Sequence, residues 1–587
     1  MSNRFTNILA ISLLIFVFLI AFFSMKDDSA TMDEIAHLPA GYSYLTQKDM
    51  RLNPEHPPLI KDLAAIPLLF IKEIKFPSEI KAWKEDINGQ WDFGFSFLYH
   101  AGNPVDKMIF WGRVPMILLL VFLGGFLFYW AREFYGNKVA LLVLFLFSFS
   151  PTFLAHGRLI TTDVGAALGV VISTYFWLKF LKNPRPKNLI LAGLTFGIAM
   201  LLKFSLILLV PFFAFITLIY AWFKAEKKPL FDILKYLSLA LLIGVIGVVF
   251  IIWPVYHYHT LNYPVKRQLR DTQFLLSTTA IPKPLTALNI RMAQIPVLRP
   301  FSQYLLGLFL ALNRGTSGNT TYFLGEISAA GWRNYFPIVY SIKEPLAFQI
   351  LTALALLYIA WLIKKPFWQN TFQRLRSWTK SHFPEFTMLS FIGIYWITSL
   401  SSRLNIGVRH LLPVFPFTFI LVSVATIKWL SEPFLKIKYL ILGALILWQA
   451  ISVISIYPYF LSYFNELAGG PDQGYIYTVN SNLDWGQDLK RLKKWANLRG
   501  IDKIYVDYFG GGDAQYYLKE KYAPWWGQRD PKEIEKGSYL AVSATFLEGG
   551  RGIPAPGFNQ PSGYYHWLDK YQPIEKIGYS IFIYYID

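Results

Sequence analysis

Long apolar runs separated by short polar stretches make up most of the first 457 residues of the chain. A helix needs about 20 mainly apolar residues to cross the hydrocarbon core of a bilayer. This pattern predicts about eleven membrane spans, at residues 8–24, 109–130, 139–155, 164–181, 189–203, 205–223, 232–253, 341–363, 386–400, 412–430 and 439–457. The two runs that flank Lys203 could also form one kinked element. No small-x-small cleavage signal follows the first run, so we expect it to remain as an anchor.

Three longer stretches lie between or after these spans, at residues 25–108, 254–340 and 458–587. The last of them predicts an amphipathic helix in WGQDLKRLKKWANLRG, which ends at a glycine. It also predicts strands in DKIYVDYF, GSYLAVSATFL and EKIGYSIFIYYI. We therefore expect a mainly α-helical membrane domain over residues 1–457 and a soluble α/β domain over residues 458–587.

The basic residues of the short loops predict the orientation, because Lys and Arg favour the cytoplasmic side of a membrane. With a cytoplasmic N-terminus, fifteen Lys and Arg lie in the loops that face the cytoplasm, at 131–138, 182–188, 224–230, 364–385 and 431–438. Only four lie in the opposite short loops, near 156–163, 203 and 401–411. The loops 25–108 and 254–340 and the C-terminal domain are then extracytoplasmic, in a multi-pass protein of the cell membrane.

Composition supports a membrane protein and excludes several kinds of site. The chain has 587 residues, of which 54% are hydrophobic and 16% charged, and its mean hydropathy is +0.36. The formal net charge of +19 would suggest a nucleic-acid partner in a soluble protein, but here we attribute it to basic loops that face an anionic membrane surface. Cysteine is absent, which excludes disulfides, thiolate catalysis and Cys-ligated metals.

Polar side chains gather at the predicted outer ends of the spans. Asp33 and Glu34 follow the first span in SATMDEIAHLPAGY. The other polar residues at this level are His56, His156, Arg158, Asp163, Lys203 and Arg409. The two acids could simply solvate a loop, or Asp33 and His37 could hold a metal, since they lie four residues apart. The third interpretation is a general base for a transfer reaction outside the cytoplasm.

Three of these residues are cations on the face where positive charge is disfavoured. Arg158, Lys203 and Arg409 all lie at outer ends of spans, at the depth of lipid headgroups. Cations at that depth suit a phosphate group. Long basic side chains that reach to the interface without any ligand are the alternative.

These features together resemble a known family. The acidic pair, the turn HGRLITTD, a lysine between two short spans, about eleven spans and a soluble C-terminal part resemble the GT-C membrane glycosyltransferases. Within these, the chain is similar to the dolichyl-phosphate-mannose protein mannosyltransferases and the bacterial aminoarabinose transferases. The segments GEISAAGWRNYFP, IGVRHLLPVFPF and YFNELAGGP resemble bacterial members of that group.

The resemblance implies a hexosyltransferase that moves a sugar from a polyprenyl-phosphate donor to an extracytoplasmic hydroxyl with inversion. It assigns the catalytic base to Asp33, with Glu34 beside it. Binding of the lipid phosphate maps onto Lys203, Arg158 and Arg409, while His56, His156 and Asp163 complete the predicted substrate site. No cofactor is required by this interpretation and no metal ligands are assigned, although a divalent metal would be compatible. The expected partners are the lipid-linked donor, an acceptor that is a protein, lipid or glycan, and membrane lipids, with no nucleic acid.

Three other functions fit parts of the pattern. A transporter or lipid flippase would place ionisable residues near the middle of the membrane and often shows repeats, and neither feature is present in the sequence. A glycan ligase would use a lipid-diphosphate donor for a related reaction. A non-catalytic scaffold would leave the polar cluster without a purpose.

Overall fold

The computed structural model describes residues 2–224, 229–363, 369–433 and 436–587, and helices dominate them. Over the first half the helices are α1 (Asn3–Ser24), α2 (Met32–Gln47), α3 (Leu59–Ala65), α4 (Lys81–Lys84), α5 (Gln90–Phe95), α6 (Val105–Tyr135), α7 (Asn137–Ser148), α8 (Pro151–His156), α9 (Asp163–Lys182), α10 (Pro186–Leu202), α11 (Leu209–Lys224), α12 (Pro229–Gly247) and α13 (Trp253–His259). Over the second half they are α14 (Val265–Ser277), α15 (Lys283–Gln294), α16 (Arg299–Ser317), α17 (Tyr335–Lys343), α18 (Leu346–Leu362), α19 (Thr371–Ser381), α20 (Phe383–Ser401), α21 (Phe415–Ser431), α22 (Ile437–Ser455), α23 (Leu489–Leu498), α24 (Ala514–Leu518) and α25 (Ala544–Arg551).

A membrane protein with several spans is confirmed, but the count of eleven is not. Within the described ranges, six helical stretches are long and apolar enough to cross a membrane, or seven if α17 and α18 form one bent span. The six are Asn3–Ser24, Val105–Tyr135, Asp163–Lys182, Phe204–Lys224, Leu230–His259 and Ile437–Ser455. Helices α7, α10 and α21 are apolar but shorter.

Breaks in the helices explain part of the difference. The predicted span 139–155 stops at Ser148 and resumes at Pro151, whose ring suits the first turn of a helix. The chain bends by 112° between α17 and α18. The apolar run around Lys203 forms two elements, since α10 ends at Leu202 and Lys203 is extended. Parts of the predicted cytoplasmic loops at 224–230, 364–385 and 431–438 lie outside the described residues.

The C-terminal segment, residues 458–587, combines a sheet with short helices, as predicted. Its strands are β3 (Ile504–Asp507), β4 (Tyr522–Pro524), β5 (Ser538–Ser543), β6 (Ile553–Pro554), β7 (Glu575–Ile577) and β8 (Ile581–Ile586). Five of them form a sheet in the order β4-β3-β5-β8-β7, in which β3 runs parallel to β4 and β5 and β8 is antiparallel to β5 and β7. The amphipathic helix is α23, which begins after Asp488 and ends before Gly500.

A second sheet ties the C-terminal segment to the loop 254–340. Strands β1 (Thr321–Phe323) and β2 (Glu326–Ser328) form a hairpin in that loop, and β6 pairs with β2 in parallel. Buried Tyr322 and Ile327 belong to the same apolar cluster as Leu540 and Tyr584 of the large sheet. The two parts of the chain therefore share one core.

Helix α2 crosses α3 closely within the loop 25–108. A Cβ on Gly41 would lie 2.1 Å from the carbonyl oxygen of Lys61, so only glycine permits this approach. The N-terminus of α2 is fixed by a capping box, in which the Glu34 side chain accepts a hydrogen bond from the backbone N–H of Thr31 at 2.8 Å. This cap places Asp33 in the first turn of α2.

Candidate active site

A cavity of about 750 Å³ lies where the loop 25–108, the membrane helices and the C-terminal segment meet. We call it the central cavity. Its charged and imidazole-bearing lining residues are Asp33, His37, Glu55, His56, Asp163, Lys203, Arg314, Arg409 and His410. Apolar side chains of the region after Lys203 and of α16 line another part, among them Ile207, Leu208, Pro211, Leu308 and Leu312. The cavity can therefore take a ligand that has both polar and apolar parts.

Asp33 faces the central cavity with a quarter (25%) of its side chain exposed. Its Oδ2 accepts a hydrogen bond from Nη1 of Arg409 at 2.9 Å. Within the described residues Oδ1 has no such partner, so one carboxylate oxygen stays available to a ligand. The N-terminal end of α2 also favours negative charge at this position.

Asp163 begins α9 and binds two cations at once. Its Oδ1 lies 2.5 Å from Nζ of Lys203, and its Oδ2 lies 3.3 Å from the same Nη1 of Arg409. The result is a chain of alternating charge, Asp33–Arg409–Asp163–Lys203, whose formal charges cancel. Burial disfavours the charged form of Arg409, but Asp33 and Asp163 outweigh it and raise the pKa of the guanidinium.

Burial favours the neutral form of the histidines that line the cavity. Burial lowers the pKa of His56 and His410 well below the usual value, and neighbouring positive charges add to the effect. Burial also lowers the pKa of His37, whose Nδ1 lies 2.8 Å from the carbonyl oxygen of Ile160. The rings of His37 and His56 meet edge to face at 5.0 Å.

Lys61 organises the loop that presents Glu55 and His56 to the cavity. Its buried ammonium donates to the carbonyl oxygens of Asn53 and His56 at 2.9 and 2.8 Å and lies 2.8 Å from the hydroxyl of Tyr44. Burial lowers the pKa of this group to about 7, against the opposing field of Glu55 and Asp62. The sequence did not predict a role for Lys61, because a single lysine in an amphipathic stretch is typical of a cation at the membrane interface.

Arg314 is the second cavity residue that sequence reasoning missed. It lies near the C-terminal end of α16, is exposed, and has no salt bridge within the described part of the chain. Lys203 and Arg409 are both neutralised by acids, whereas Arg314 has no such acid partner. The pattern of α16 gave no signal for it, since an arginine on the polar face of an amphipathic helix is ordinary.

Glu34 lies next to Asp33 in sequence but outside the lining of the central cavity. Its carboxylate is fully buried and binds Arg113, with Oε1 2.8 Å from Nε and Oε2 2.6 Å from Nη2. The backbone N–H of Ile160 also donates to Oε1 at 3.0 Å. Every one of these contacts is structural, so this position gives no support to a catalytic role for Glu34.

Arg158 and His156 also lie outside the lining, although they were predicted to join the site. The buried guanidinium of Arg158 lies 3.1 Å from the carboxylate of Asp28 in the loop 25–108. The ring of His156 packs against Trp485 with the ring centres 6.0 Å apart. The structure thus brings together five of the predicted site residues in the cavity lining: Asp33, His56, Asp163, Lys203 and Arg409. The other three, Glu34, His156 and Arg158, lie outside the lining.

The C-terminal segment supplies part of the cavity wall. Asn480, Trp485 and Phe509 line it, and the ring centre of Trp485 lies 4.2 Å from the guanidinium carbon of Arg409. The predicted helix WGQDLKRLKKWANLRG starts at Trp485, but α23 begins only after Asp488. The backbone therefore stays irregular through Trp485, and this places the ring against Arg409.

A metal at Asp33 and His37 was one interpretation of the sequence. Across residues 2–224, 229–363, 369–433 and 436–587, no group of three or more His, Cys, Asp or Glu has the arrangement to hold a metal ion. Each of the two residues instead has a protein partner, Arg409 for Asp33 and the Ile160 carbonyl for His37.

Residues 96–253 match the family model described as dolichyl-phosphate-mannose-protein mannosyltransferase. This match confirms the predicted resemblance to membrane glycosyltransferases. The matched residues run from the end of the loop 25–108 to the start of α13 and include Asp163 and Lys203. No curated protein matches the chain.

Three solved structures illustrate the fold comparison. The S. cerevisiae protein O-mannosyltransferase Pmt1-Pmt2 complex bound to the sugar donor is 18% identical, with a TM-score of 0.34, and the match covers 45% of this chain and 34% of that one. The oligosaccharyltransferase AglB from Archaeoglobus fulgidus is 11% identical over 91% of this chain and 69% of that one, with a TM-score of 0.43. ArnT from Cupriavidus metallidurans is 13% identical over 98% and 97%, with a TM-score of 0.32. The match spans only about a third of the yeast chain, and none of these likenesses is strong enough to carry an activity to this protein.

Proposed function

We propose that this protein is a glycosyltransferase that moves a sugar from a polyprenyl-phosphate donor to an extracytoplasmic hydroxyl, with inversion at the anomeric carbon. The observation that carries the proposal is the sharing of one cavity by Asp33, Lys203, Arg314 and Arg409. The family match over residues 96–253 supports the reaction class. An acid beside several cations is what such a transfer needs, for the reasons that follow.

The carboxylate of Asp33 acts as the general base. A hydroxyl is a weak nucleophile near neutral pH, and a positioned carboxylate that accepts its proton helps in the transition state. The acceptor oxygen forms a bond to the anomeric carbon while the bond from that carbon to the phosphate oxygen breaks. The bonding electrons leave with the lipid phosphate and the proton ends on Oδ1 of Asp33. Attack from the face opposite the phosphate inverts the anomeric centre.

Cations stabilise the departing phosphate. Negative charge on this group grows as the bond breaks, so fixed positive charge favours the transition state over the ground state. Arg314 and Lys203 fit this role best, because Arg314 has no acid partner in the described chain and Lys203 lines the same cavity and precedes its apolar residues Ile207 and Leu208 in the chain. Arg409 is held between two acids and orients the Asp33 carboxylate.

The apolar part of the cavity would accommodate the polyprenyl chain. Ile207, Leu208, Pro211, Leu308 and Leu312 are apolar residues that line the same cavity as Lys203 and Arg314. This arrangement matches a donor whose phosphate lies at headgroup level and whose tail lies in the bilayer. We place the N-terminus in the cytoplasm and the C-terminal segment outside it, as the distribution of basic residues indicates.

A transfer assay with purified protein in lipid vesicles tests the donor class. The vesicles contain either a polyprenyl-monophosphate hexose or the corresponding diphosphate, each labelled in the sugar, and receive envelope extracts as a source of acceptor. We expect label to move from the monophosphate donor and not from the diphosphate. Transfer from the diphosphate alone would identify a glycan ligase instead, and movement of intact donor between leaflets without transfer would identify a flippase. Parallel reactions with a chelator measure any dependence on a metal.

A further inference from the structure

The segment from Asn480 to Asp488 contacts the chain beside Asp33 and also the loop that carries Arg409. We call it the bridging segment. It lies in the C-terminal part of the chain, far in sequence from both residues, and nothing in its sequence pattern assigned it a role. Three sets of contacts define what it does.

The first set joins the bridging segment to the backbone just before Asp33. The N–H of Met32 donates to the carbonyl oxygen of Trp485 at 3.1 Å, and the N–H of Ser29 donates to that of Gln487 at 2.9 Å. The hydroxyl of Ser29 donates to the carbonyl oxygen of Gly486 at 2.7 Å. Gly486 adopts φ of +95°, which favours glycine, and a Cβ there would lie 2.4 Å from the Cα of Gly510.

Buried ion pairs reinforce this first junction. Asp28 lies 2.7 Å from Arg491 of α23 and 3.1 Å from Arg158, and its side chain is completely buried. Arg491 also binds Asp488 at 2.5 Å. Charges buried this deeply are costly unless each one keeps its partners, so the junction resists separation.

The second set joins the bridging segment to the loop that carries Arg409. The side-chain oxygen of Asn482 accepts a hydrogen bond from the backbone N–H of Val408 at 2.9 Å. The hydroxyl of Ser481 donates to the carbonyl oxygen of Ile406. Gly407 lies between them with φ of +130°, and a Cβ there would lie 2.4 Å from the Ser481 hydroxyl.

The third contact is the ring of Trp485 itself. Only 1% of this residue is exposed, and the guanidinium carbon of Arg409 lies 4.2 Å from its ring centre. A cation over an indole face is attracted to the ring, and the attraction is stronger away from water. Trp485 therefore contacts Met32 through its backbone and Arg409 through its side chain.

We infer that the bridging segment sets the spacing between Asp33 and Arg409, and that Trp485 is a positioning residue for Arg409 in the transfer reaction. This inference rests on the proposed function, because the reaction gives the spacing its purpose. It assigns the C-terminal segment a direct part in building the active site.

Variants of Trp485 test the inference. A desolvated cation–π contact worth about 2 kcal/mol corresponds to about a thirtyfold loss of kcat in Trp485→Ala. Trp485→Phe keeps an aromatic face and should recover most of the rate. Trp495→Ala is the matched control, since Trp495 is also a buried tryptophan of the C-terminal segment, but it donates a hydrogen bond to Glu575 and is not among the residues that line the cavity. Equal losses in Trp485→Ala, Trp485→Phe and Trp495→Ala would overturn the inference.

A double-mutant cycle separates positioning from general support of the fold. If Trp485 acts through Arg409, Trp485→Ala should cost little further rate in an Arg409→Gln background, because the group it positions is already gone. Additive losses in the cycle would contradict the proposed role. A wild-type protein without transfer activity would refute the proposed function and the role of Trp485 in it, while the spacing of Asp33 and Arg409 is tested separately by hydrogen exchange.

Hydrogen exchange tests the inference without any activity. In Trp485→Ala we expect faster amide exchange at residues 28–33 and 406–410, with Trp495→Ala and Trp485→Phe close to the wild type at both places. Unchanged exchange at both places would show that the bridging segment does not hold Asp33 and Arg409 through Trp485, whatever the protein transfers.

Discussion

Asp33 and Glu34 are neighbours in the first turn of α2, yet their carboxylates point to different environments. Asp33 reaches the central cavity and binds Arg409, while Glu34 is fully buried and binds Arg113. Consecutive residues on a helix are separated by about 100° around its axis, and here this directs the two carboxylates to different partners. We therefore expect substitution of Glu34 to lower stability and substitution of Asp33 to lower activity.

Glu34→Gln should destabilise the protein. It removes the charge that neutralises Arg113, and breaking a buried pair costs about 3–5 kcal/mol. We expect a clear drop in the midpoint of thermal unfolding in detergent, with the remaining folded protein close to normal in specific activity. Glu79→Gln is the control, because Glu79 lies in the same loop and pairs with Lys84, but 81% of its side chain is exposed. A Glu34→Gln protein with wild-type stability would contradict the structural role.

Arg314→Ala should weaken binding of the donor. Loss of a hydrogen bond to a charged group costs about 1.5–3 kcal/mol, which corresponds to a rise in KM for the donor of about tenfold to a hundredfold. Arg291→Ala on the neighbouring helix α15 is the matched control, since Arg291 is exposed and lies outside the cavity lining. The measurement is the KM for the labelled donor in each variant. The same KM in both variants would contradict binding of the donor phosphate by Arg314.

The sequence predicted the main architecture and part of the site. Repeated apolar runs located the membrane helices, and alternating β-branched and aromatic residues located the strands around Val506, Ala541 and Ile583. Asp33, Lys203 and Arg409 were found because charges at the ends of apolar helices are unusual. These patterns are local in the sequence, so they can be recognised without knowledge of contacts between distant parts of the chain.

The remaining site residues depend on contacts between distant parts of the chain. Arg158 has the same local pattern as Lys203, but Asp28 binds it, and no pattern in the sequence records that pairing. Trp485 reaches Arg409 only because a C-terminal loop returns to the first turn of α2. The number of spans stays a prediction, because breaks such as the one before Pro151 divide apolar runs into shorter helices.

The stability of the C-terminal segment should fall as the pH rises from about 4 to about 7. Burial raises the pKa of Asp484 to about 7 from a usual value of 3.8, and its Oδ1 has no hydrogen-bond partner in the described residues. In this pH range the folded form keeps a proton that the unfolded form has released. The free energy of unfolding therefore falls by about 1.4 kcal/mol per pH unit. Thermal unfolding of Asp484→Asn should show a weaker dependence on pH than that of the wild type. A wild-type midpoint that rises across this range would contradict the assignment.

The rate of sugar transfer by Asp33→Asn at saturating donor tests the central claim most directly. The variant keeps the shape of the side chain and removes the base, so we expect kcat to fall by about 10²–10⁴ with binding of the donor retained. Asp27→Asn is the matched control, because Asp27 lies in the same loop, is 45% exposed and pairs only with Lys494 among the described residues. A large loss in Asp33→Asn alone is the predicted result, and transfer at the wild-type rate by Asp33→Asn would contradict the account.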